Sequence, residues 1–269
     1  MNKFNALWTR TSGATKVTTS SLEKYGHFLK RNPHKEEILH DGCVDGTITK
    51  NILFPSIKDH ATQVLAIDKR KDFIDLANEI NKVDKIEYQV FDTMGSDDFK
   101  KMENRFGQIF STCIAEWLVP NRLLLKRYHE MLKREGQIFM VILTNTAIQQ
   151  SFYEQAKEKG WKPYLSKKTI FETYTKNPEH SFEKLLKENN FKPDICQSAN
   201  TTVDLENFPD MLHLIWPMYE EFWNCIPDEM KEDFVEENVN RCLKKMTYVG
   251  EPKKYSMSLQ KLVCVATRI

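Results

Sequence analysis

The sequence has 269 residues, enough for one large domain or two small ones. Hydrophobic residues make up 41%, and 39 Lys and Arg balance 38 Asp and Glu, so the net charge is only +1. This charge disfavours a dedicated nucleic-acid-binding protein, which usually carries a clear basic excess, and the longest fully apolar run, residues 138–143, is far too short to span a membrane.

Cysteine usage and the N-terminal segment indicate the compartment. The six cysteines are scattered without a Cys-x-x-Cys pair, so neither a disulfide framework nor a zinc ribbon is expected. Residues 1–16 contain no apolar core, so no secretory signal is expected. No cluster of His, Cys, Asp or Glu has metal-ligand spacing, so no metal site is expected. We therefore expect a cytoplasmic globular protein that binds neither membranes nor nucleic acid.

Strand-like and helix-like segments alternate through the first half of the chain. Five segments are predicted strands, residues 37–40, 63–67, 85–91, 108–114 and 137–144, and two are predicted helices, residues 69–82 and 120–134. Gly136 is predicted to cap the second of these helices at its C-terminal end. This alternation is typical of parallel β–α–β units with right-handed crossovers.

The second half contains longer segments that are rich in aromatic residues. The predicted helices are residues 147–159, 182–189 and 227–246, the predicted strands are 195–203 and 259–267, and 160–164 is a predicted turn. Residues 207–221 concentrate large apolar side chains. We expect a single α/β domain over residues 1–269. Its parts are a cofactor-binding half at 30–146, a substrate-side helical insert with the sixth strand at 147–255, and a last strand at 256–269.

A glycine turn and two acidic residues follow the first three predicted strands. The first strand leads into a turn with Gly42 and Gly46, the second ends at Asp68, and the third ends at Asp92. In an open parallel sheet, ligands bind beyond the carboxyl ends of the strands. The backbone of the turn would approach an adenosine-containing ligand, Asp68 would accept hydrogen bonds from its ribose, and Asp92 would accept one from its adenine. The alternative is that both acids only cap the helices that follow them.

The glycine spacing and the charge of the turn narrow the choice of cofactor. Dinucleotide sites use G-x-G-x-x-G with a pyrophosphate at a helix N-terminus, whereas Gly42 and Gly46 are spaced G-x-x-x-G. Asp45 lies inside the turn, and its charge would repel a pyrophosphate. S-adenosylmethionine has no phosphate and carries a positive sulfonium, so the turn favours this cofactor.

The glycine turn lies within I-L-H-D-G-C-V-D-G-T, residues 38–47, which resembles the first motif of class I S-adenosylmethionine-dependent methyltransferases. More narrowly, the chain resembles the insect juvenile hormone acid O-methyltransferases along its whole length. The matching features are V-L-A-I-D ending at Asp68, Phe91-Asp92, I-F-S leading to Trp117, Ile226-Pro227, and E-D-F at 232–234 before a long helix.

This resemblance implies a Rossmann-like sheet of seven strands, mostly parallel with an antiparallel last strand, with helices on both faces and a helical lid. It also implies methyl transfer from S-adenosylmethionine, which becomes S-adenosylhomocysteine, to the carboxylate of a small terpenoid acid such as farnesoic or juvenile hormone acid. The positions that it assigns to the cofactor are His40, Gly42, Val44, Gly46, Asp68, Lys69, Asp92, Thr93, Ser111 and Thr112.

Four positions depart from the pattern of that family. His40 replaces an Asp, and Val44 replaces a Gly or Ala, so two cofactor positions are altered. Thr15 aligns with a Gln and Glu116 replaces a His, and in that family these two side chains flank the transferred methyl and the substrate carboxylate. Thr15, Glu116 and Trp117 are accordingly the candidate catalytic residues. His40 is either a cofactor contact or a histidine whose partners lie at the strand end.

Large aromatic residues are candidates for the substrate pocket. Trp117 would form a wall beside the transferred methyl, and Trp161, Trp216 and Phe222 would line an apolar channel. The alternative is ordinary core packing, the commoner role of large apolar residues. Two functions stay open. One is a methyltransferase for a small apolar acid, alcohol or amine, and the other is a catalytically impaired relative that binds a ligand or partner without turnover.

Overall fold

An eight-stranded sheet lies at the centre of the described structure. The computed structural model describes residues 3–31, 34–95, 99–165, 174, 176–218, 220–251 and 254–269. The strands are β1 (Glu36–Asp41), β2 (Ala61–Asp68), β3 (Ile86–Val90), β4 (Phe106–Thr112), β5 (Leu132–Asn145), β6 (Phe191–Glu206), β7 (Thr247–Gly250) and β8 (Lys254–Arg268).

Ten α-helices within the same residues connect or flank these strands. They are α1 (Lys3–Tyr25), α2 (Phe54–Ile57), α3 (Lys71–Ile80), α4 (Asn121–Met131), α5 (Ala147–Gln155), α6 (Lys162–Leu165), α7 (Pro178–Glu188), α8 (Phe208–Ile215), α9 (Glu220–Trp223) and α10 (Lys231–Leu243). A π-helical turn, Thr49–Leu53, leads into α2.

The strand order is β3-β2-β1-β4-β5-β8-β6, with β7 paired to β8. The pairs among β1 to β5 are parallel, whereas β8 runs antiparallel to β5, β6 and β7. The predicted fold class is therefore confirmed, including the antiparallel last strand. The predicted seven strands form the path from β3 to β6, and the short β7 is an eighth strand off this path among the described residues. β7 has no buried face, so no alternation in its sequence indicates a strand.

Several predicted helix ends are wrong, those of α4 and α10 among them, and α6 occupies most of the turn predicted at 160–164. α4 ends at Met131, and Gly136 lies within β5 instead of capping the helix. A Cβ on Gly136 would lie 2.9 Å from the carbonyl oxygen of Gly107, so the close approach of β4 and β5 is what requires glycine there. α10 spans Lys231–Leu243, because a 3-10 turn, Asp228–Met230, precedes it.

Alternating strand residues build a separate core on each face of the sheet. Ile38 and Leu39 of β1 are both buried but belong to different hydrophobic clusters, because neighbouring strand residues point to opposite faces. The cluster of Ile38 includes residues of α1, α3, α5 and α10, and that of Leu39 includes residues of α4 and α7. Helices cover both faces, as predicted.

Helix α1 lies in a segment for which the sequence predicts no helix. Its Ser, Thr and Gly residues are weak helix formers, and packing against the rest of the domain stabilises it instead. The buried Lys261 of β8 donates hydrogen bonds to the carbonyl oxygen of Val17 at 3.3 Å and to the hydroxyls of Ser20 and Ser21 at 2.9 and 2.8 Å. Three acceptors thus satisfy the ammonium group and join α1 to the sheet.

Candidate cofactor site

The carboxyl ends of β1, β2, β3 and β4 lie side by side at one edge of the sheet. Asp41 pairs with Ile67 of β2 and with Ser111 of β4, and Asp68 pairs with Val90 of β3. β1 has β2 on one side and β4 on the other, so the strand order reverses at β1. Ligands of open α/β sheets bind at such a switch point.

Backbone hydrogen bonds and glycines at positive φ fix the turn after β1. Gly42 and Cys43 both donate their N–H groups to the carbonyl oxygen of Ile67, each at 2.9 Å. Gly46 has a φ of +78°, and a Cβ there would lie 2.7 Å from the ring of Tyr88. Gly46 is therefore required by its backbone conformation and by the ring packed against it.

Asp45 stabilises the end of this turn. It is buried, and its carboxylate accepts the N–H of Thr47 at 3.0 Å. Its carbonyl oxygen accepts a hydrogen bond from the side-chain amide of Asn81 at 2.8 Å. The negative charge therefore lies at the beginning of the following helical segment, where backbone N–H groups favour an anion.

Asp68 connects the glycine turn to the loop after β2. Asp68 is 8% exposed, and its carboxylate accepts the N–H of Val44 at 3.2 Å and that of Arg70 at 3.0 Å. α3 begins without a side-chain cap, so Asp68 does not play the capping role that the alternative interpretation gives it. Asp92 accepts the N–H of Met94 at 3.0 Å and so orders the loop after β3.

His40 points to the opposite face from Asp41 and contacts protein hydroxyls. Its Nδ1 lies 2.7 Å from Oγ1 of Thr49, and its Nε2 lies 3.4 Å from Oγ1 of Thr112. Burial lowers the pKa of His40 to about 3, so the ring is neutral at pH 7. This arrangement is that of a histidine whose partners lie at the strand end, one of the two predicted roles.

Asp41 points toward the edge where the strand ends converge. Its carboxylate is buried and accepts a hydrogen bond from the hydroxyl of Tyr128 at 2.7 Å. Burial raises the pKa of Asp41 to about 6; hydrogen bonds from Tyr128 and Thr93 oppose this rise, and the charges of Asp68 and Asp92 add to it. The charges of Asp68 and Asp92 therefore act on the buried carboxyl group of Asp41 at this edge.

Two neighbouring cavities open among the described residues at the strand ends. The larger, here called the acidic cavity, has a volume of about 50 Å³, and its lining is Asp41, Gly42, Asp68, Lys69, Arg70, Phe73, Phe91, Asp92, Thr93, Ile114 and Leu118. The smaller, here called the turn cavity, has a volume of about 20 Å³, and its lining is Ala14, Gly42, Cys43, Val44, Ile48, Thr112, Cys113 and Ile114.

The cavities bring together seven of the predicted cofactor residues. Those in the acidic cavity are Gly42, Asp68, Lys69, Asp92 and Thr93, and those in the turn cavity are Val44 and Thr112. His40, Gly46 and Ser111 are buried beside them. From α1, Ala14 lines the turn cavity, whereas its neighbour Thr15, a predicted catalytic residue, is half-buried.

The sequence does not predict the apolar part of the lining of the acidic cavity. Phe91 directly precedes Asp92, and this position beside a predicted ligand contact is a signal that could identify it. Ile114 and Leu118 follow β4 in a turn that begins with Cys113, whose φ is +57°. No local pattern indicates that left-handed conformation, so the direction of Ile114 is visible only in the structure.

The arrangement of the sheet matches solved structures at low sequence identity. The YcgJ protein of Bacillus subtilis has a TM-score of 0.57 and 11% identity, and the match covers 93% of this chain and 98% of that one. A Bacillus halodurans protein provisionally assigned as a methyltransferase has a TM-score of 0.56 and 16% identity over 93% and 98% of the two chains. The chain has a Rossmann-like methyltransferase fold.

A third structure with this methyltransferase fold was solved with ligands. It is a Haemonchus contortus phosphoethanolamine N-methyltransferase bound to phosphomonomethylethanolamine and S-adenosylhomocysteine, with a TM-score of 0.52, 14% identity, and coverage of 94% of this chain and 53% of that one. No family model matches the sequence, and a comparison with curated proteins gives no match.

Aromatic residues from the second half of the chain form one buried cluster. Trp216 and Phe222 are fully buried, and Trp161 is 5% exposed. The ring centroid of Trp216 lies 5.7 Å from that of Phe152 and 5.5 Å from that of Phe234, and Trp161 lies 5.5 Å from Phe234. These contacts are typical of a core, so a channel lined by these residues stays a prediction.

Glu116 and Trp117 follow β4 and face different neighbours. The ring of Trp117 lies 6.5 Å from that of Trp216, edge to face. Glu116 is 1% exposed, and its Oε2 accepts the N–H of Leu143 at 3.3 Å. Glu116 therefore contacts the end of β5, and Trp117 packs against the aromatic cluster.

The described part of the chain has neither a metal-binding cluster nor a membrane-spanning helix. No group of three or more His, Cys, Asp or Glu side chains there could hold a metal ion. None of the helices in that part has both the length and the apolar character needed to cross a membrane.

Val44 has a strained backbone, with a φ of +52° in the left-handed region that β-branched residues rarely adopt. We expect Val44→Gly to raise the free energy of unfolding by about 1 kcal/mol, measured by urea denaturation. Relief of strain contributes about 1–3 kcal/mol, and the greater unfolded-state entropy of glycine offsets about 0.4–1 kcal/mol of it.

Val44→Ala is the matched control, because it removes the branched side chain but leaves a Cβ at positive φ. We expect it to recover less than half of the gain. A Val44→Gly protein less stable than the unaltered chain would show that valine packing outweighs the strain.

Proposed function

We propose that this chain is an S-adenosylmethionine-dependent methyltransferase. The observation that carries the proposal is the acidic cavity, where Gly42, Asp68 and Asp92 converge at the switch point of a methyltransferase fold. The carboxylate of Asp68 is an acceptor for ribose hydroxyls. Phe91 supplies an apolar surface for adenine, and Asp92 supplies an acceptor for its amino group.

The charge of the acidic cavity supports a cofactor without phosphate. Asp68 and Asp92 lie close enough to Asp41 for their charges to raise its pKa. Arg70 also lines the cavity, but its guanidinium pairs with Asp72 at 2.7 Å. A pyrophosphate would be repelled by these carboxylates, whereas a sulfonium would be attracted. The residues present therefore fit the adenosine half of S-adenosylmethionine.

We propose a small apolar acid of terpenoid type as the substrate. The support is the resemblance to juvenile hormone acid O-methyltransferases, together with the aromatic surroundings of Trp117. S-adenosylmethionine, when bound, supplies an electrophilic methyl group. A carboxylic acid is ionised at pH 7 and needs no general base. The tasks of the chain are then to orient the carboxylate and exclude water, and such positioning contributes about 7–11 kcal/mol in favourable cases.

Thr15, Glu116 and Trp117 are the proposed neighbours of the transferred methyl, and Glu116 decides the substrate class. A carboxylate at about 4 Å from a substrate carboxylate would repel it by about 4 kcal/mol at an effective dielectric constant of 20. We expect weak methylation of farnesoic acid by the unaltered chain and faster methylation by Glu116→His. A neutral imidazole accepts a hydrogen bond at one nitrogen and donates at the other, so it can replace the Leu143 contact and also donate to the substrate.

Glu116→Gln separates charge from donor geometry. It is neutral and nearly isosteric, and its amide oxygen can still accept the N–H of Leu143, so it removes only the repulsion. We expect its rate with farnesoic acid to lie between those of the unaltered chain and Glu116→His, in an assay that counts labelled methyl groups. Efficient methylation by the unaltered chain, with neither variant faster, would contradict the role given to Glu116.

Two measurements test the proposed function. Calorimetric titration with S-adenosylhomocysteine measures cofactor binding, and a labelled-methyl assay over terpenoid acids, alcohols and amines measures transfer. Binding together with transfer to any of these substrates supports the proposal, and the identity of the best acceptor sets the substrate class. Absence of S-adenosylhomocysteine binding by the folded chain would overturn it.

A second candidate function is ligand binding without turnover. The strained Val44 and the contact of Glu116 with β5 favour it, because both differ from what a methyl-transfer site of the related family requires. Binding of S-adenosylhomocysteine without transfer to any acid, alcohol or amine would support this function over catalysis.

A further inference from the structure

Ile114 leaves the sheet directly beside Gly42. Asp41 and Ser111 are paired in register, so the residues after β1 and after β4 emerge as neighbours. Cys113 has a φ of +57°, and this left-handed conformation changes the direction of the chain just before Ile114.

The side chain of Ile114 covers the bare α-carbon of Gly42. A Cβ placed on Gly42 would lie 2.6 Å from Cγ1 of Ile114 and 2.8 Å from its Cβ and Cγ2. In a ligand-binding turn, the space that glycine leaves open lets a ligand approach the backbone. Here a protein side chain fills that space.

The contact between Ile114 and Gly42 forms the wall between the two cavities, because these two residues line both of them. The turn cavity, at about 20 Å³, has room for about one water molecule, which needs roughly 10–15 Å³ on this measure. An adenosine bound at Asp68 and Asp92 would have its 5′ carbon near this wall. A 5′ aminoacyl tail would have to pass between Ile114 and Gly42 to reach the turn cavity.

We propose that Ile114 is a specificity-determining residue that separates a nucleoside compartment from an aminoacyl compartment. The acidic cavity then binds the adenosine half, and the aminoacyl tail of S-adenosylhomocysteine, which stays outside the turn cavity, adds little affinity. This inference rests on the proposed function, because it uses the nucleoside position at Asp68 and Asp92.

Calorimetric titration of the full chain with adenosine and with S-adenosylhomocysteine tests the inference. For the unaltered chain we expect two dissociation constants within about threefold of each other. Ile114→Ala is expected to tighten S-adenosylhomocysteine binding by about tenfold or more and to change adenosine binding by less than about threefold. Ile114 is half-buried, so truncation is compatible with folding, and Ile114→Val should give a smaller change of the same sign.

Leu118→Ala is the matched control, because Leu118 is also half-buried but lines the acidic cavity and not the turn cavity. It removes a side chain of the same size without removing the wall, so the affinity ratio of the two ligands should stay within about threefold of that of the unaltered chain. If Leu118→Ala changed the ratio of the two affinities as much as Ile114→Ala does, the inference would be overturned. The added cavity volume alone would then explain the change in both variants.

The failure of the inference and that of the proposed function give different results. If the unaltered chain binds S-adenosylhomocysteine at least about tenfold more tightly than adenosine, and Ile114→Ala gives no further gain, Ile114 is not a barrier and the proposed function stands. If none of the folded proteins binds either ligand, the nucleoside site itself is absent and both proposals fall.

Discussion

Replacing Asp68 by alanine is expected to weaken binding of S-adenosylhomocysteine by about 10- to 150-fold, measured by calorimetric titration. In the proposed site this carboxylate accepts hydrogen bonds from the ribose, and hydrogen bonds to a charged group contribute about 1.5–3 kcal/mol. The same carboxylate accepts the N–H groups of Val44 and Arg70. Its removal therefore also loosens the glycine turn, which lowers the affinity further.

Two other variants separate these effects. Asp72→Ala removes an equal charge from the first turn of α3, but the side chain of Asp72 is 60% exposed and pairs with the guanidinium of Arg70. Exposed ion pairs contribute about 1 kcal/mol or less, so its affinity should change little. Asp68→Asn keeps the shape and one acceptor, and should lie between the alanine variant and the unaltered chain. Unchanged affinity in a folded Asp68→Ala protein would remove Asp68 from the site.

Much of the cofactor edge can be predicted from the sequence, because buried parallel strands are short apolar runs that end abruptly in polar residues. Gly42, Asp68 and Asp92 are predicted together for this reason, and the register of β1, β2 and β3 brings their strand ends to one edge. The antiparallel last strand is different. Its prediction depends on resemblance to a family and not on any pattern within residues 254–268.

Contacts between distant segments are what the sequence does not indicate. The cover that Ile114 forms over Gly42 depends on strand register and on one left-handed residue. Trp216 illustrates a second limit, because the same residue type at the same helical spacing suits either a channel wall or a core. Its full burial among other rings is typical of a core, and a channel wall stays a prediction.

His40 and Asp41 are adjacent on β1, and their protonation changes the stability of the fold in opposite directions. Asp41 has a pKa raised from 3.8 to about 6, so between about pH 4 and 6 the folded chain holds a proton that the unfolded chain has released. Stability then falls as pH rises. His40 has a pKa lowered from 6.5 to about 3, so the unfolded chain binds the extra proton and stability rises with pH. Over this range the two slopes largely offset each other.

We expect Asp41→Asn to make the protein more stable at pH 7 by about 3 kcal/mol, since each pKa unit corresponds to about 1.4 kcal/mol. Asparagine cannot ionise, and its side-chain oxygen can still accept the hydroxyl hydrogen of Tyr128. At pH 4 the carboxyl group of Asp41 is largely protonated in the folded chain, so the stability difference between variant and unaltered chain should be small there. Urea denaturation at each pH from 4 to 8 measures this difference.

His40→Gln supplies the reciprocal control, because it removes the group with the opposite slope while leaving Asp41 in place. Relative to the unaltered chain, its stability should improve as pH falls from 6.5 toward 4, whatever constant loss follows from the missing contact with Thr49. Opposite signs in the two variants would show that a buried acid and a buried neutral histidine titrate independently on the two faces of β1. A pH-independent difference for Asp41→Asn would instead mean that Asp41 has an ordinary pKa and that its carboxyl group is not desolvated in the folded chain.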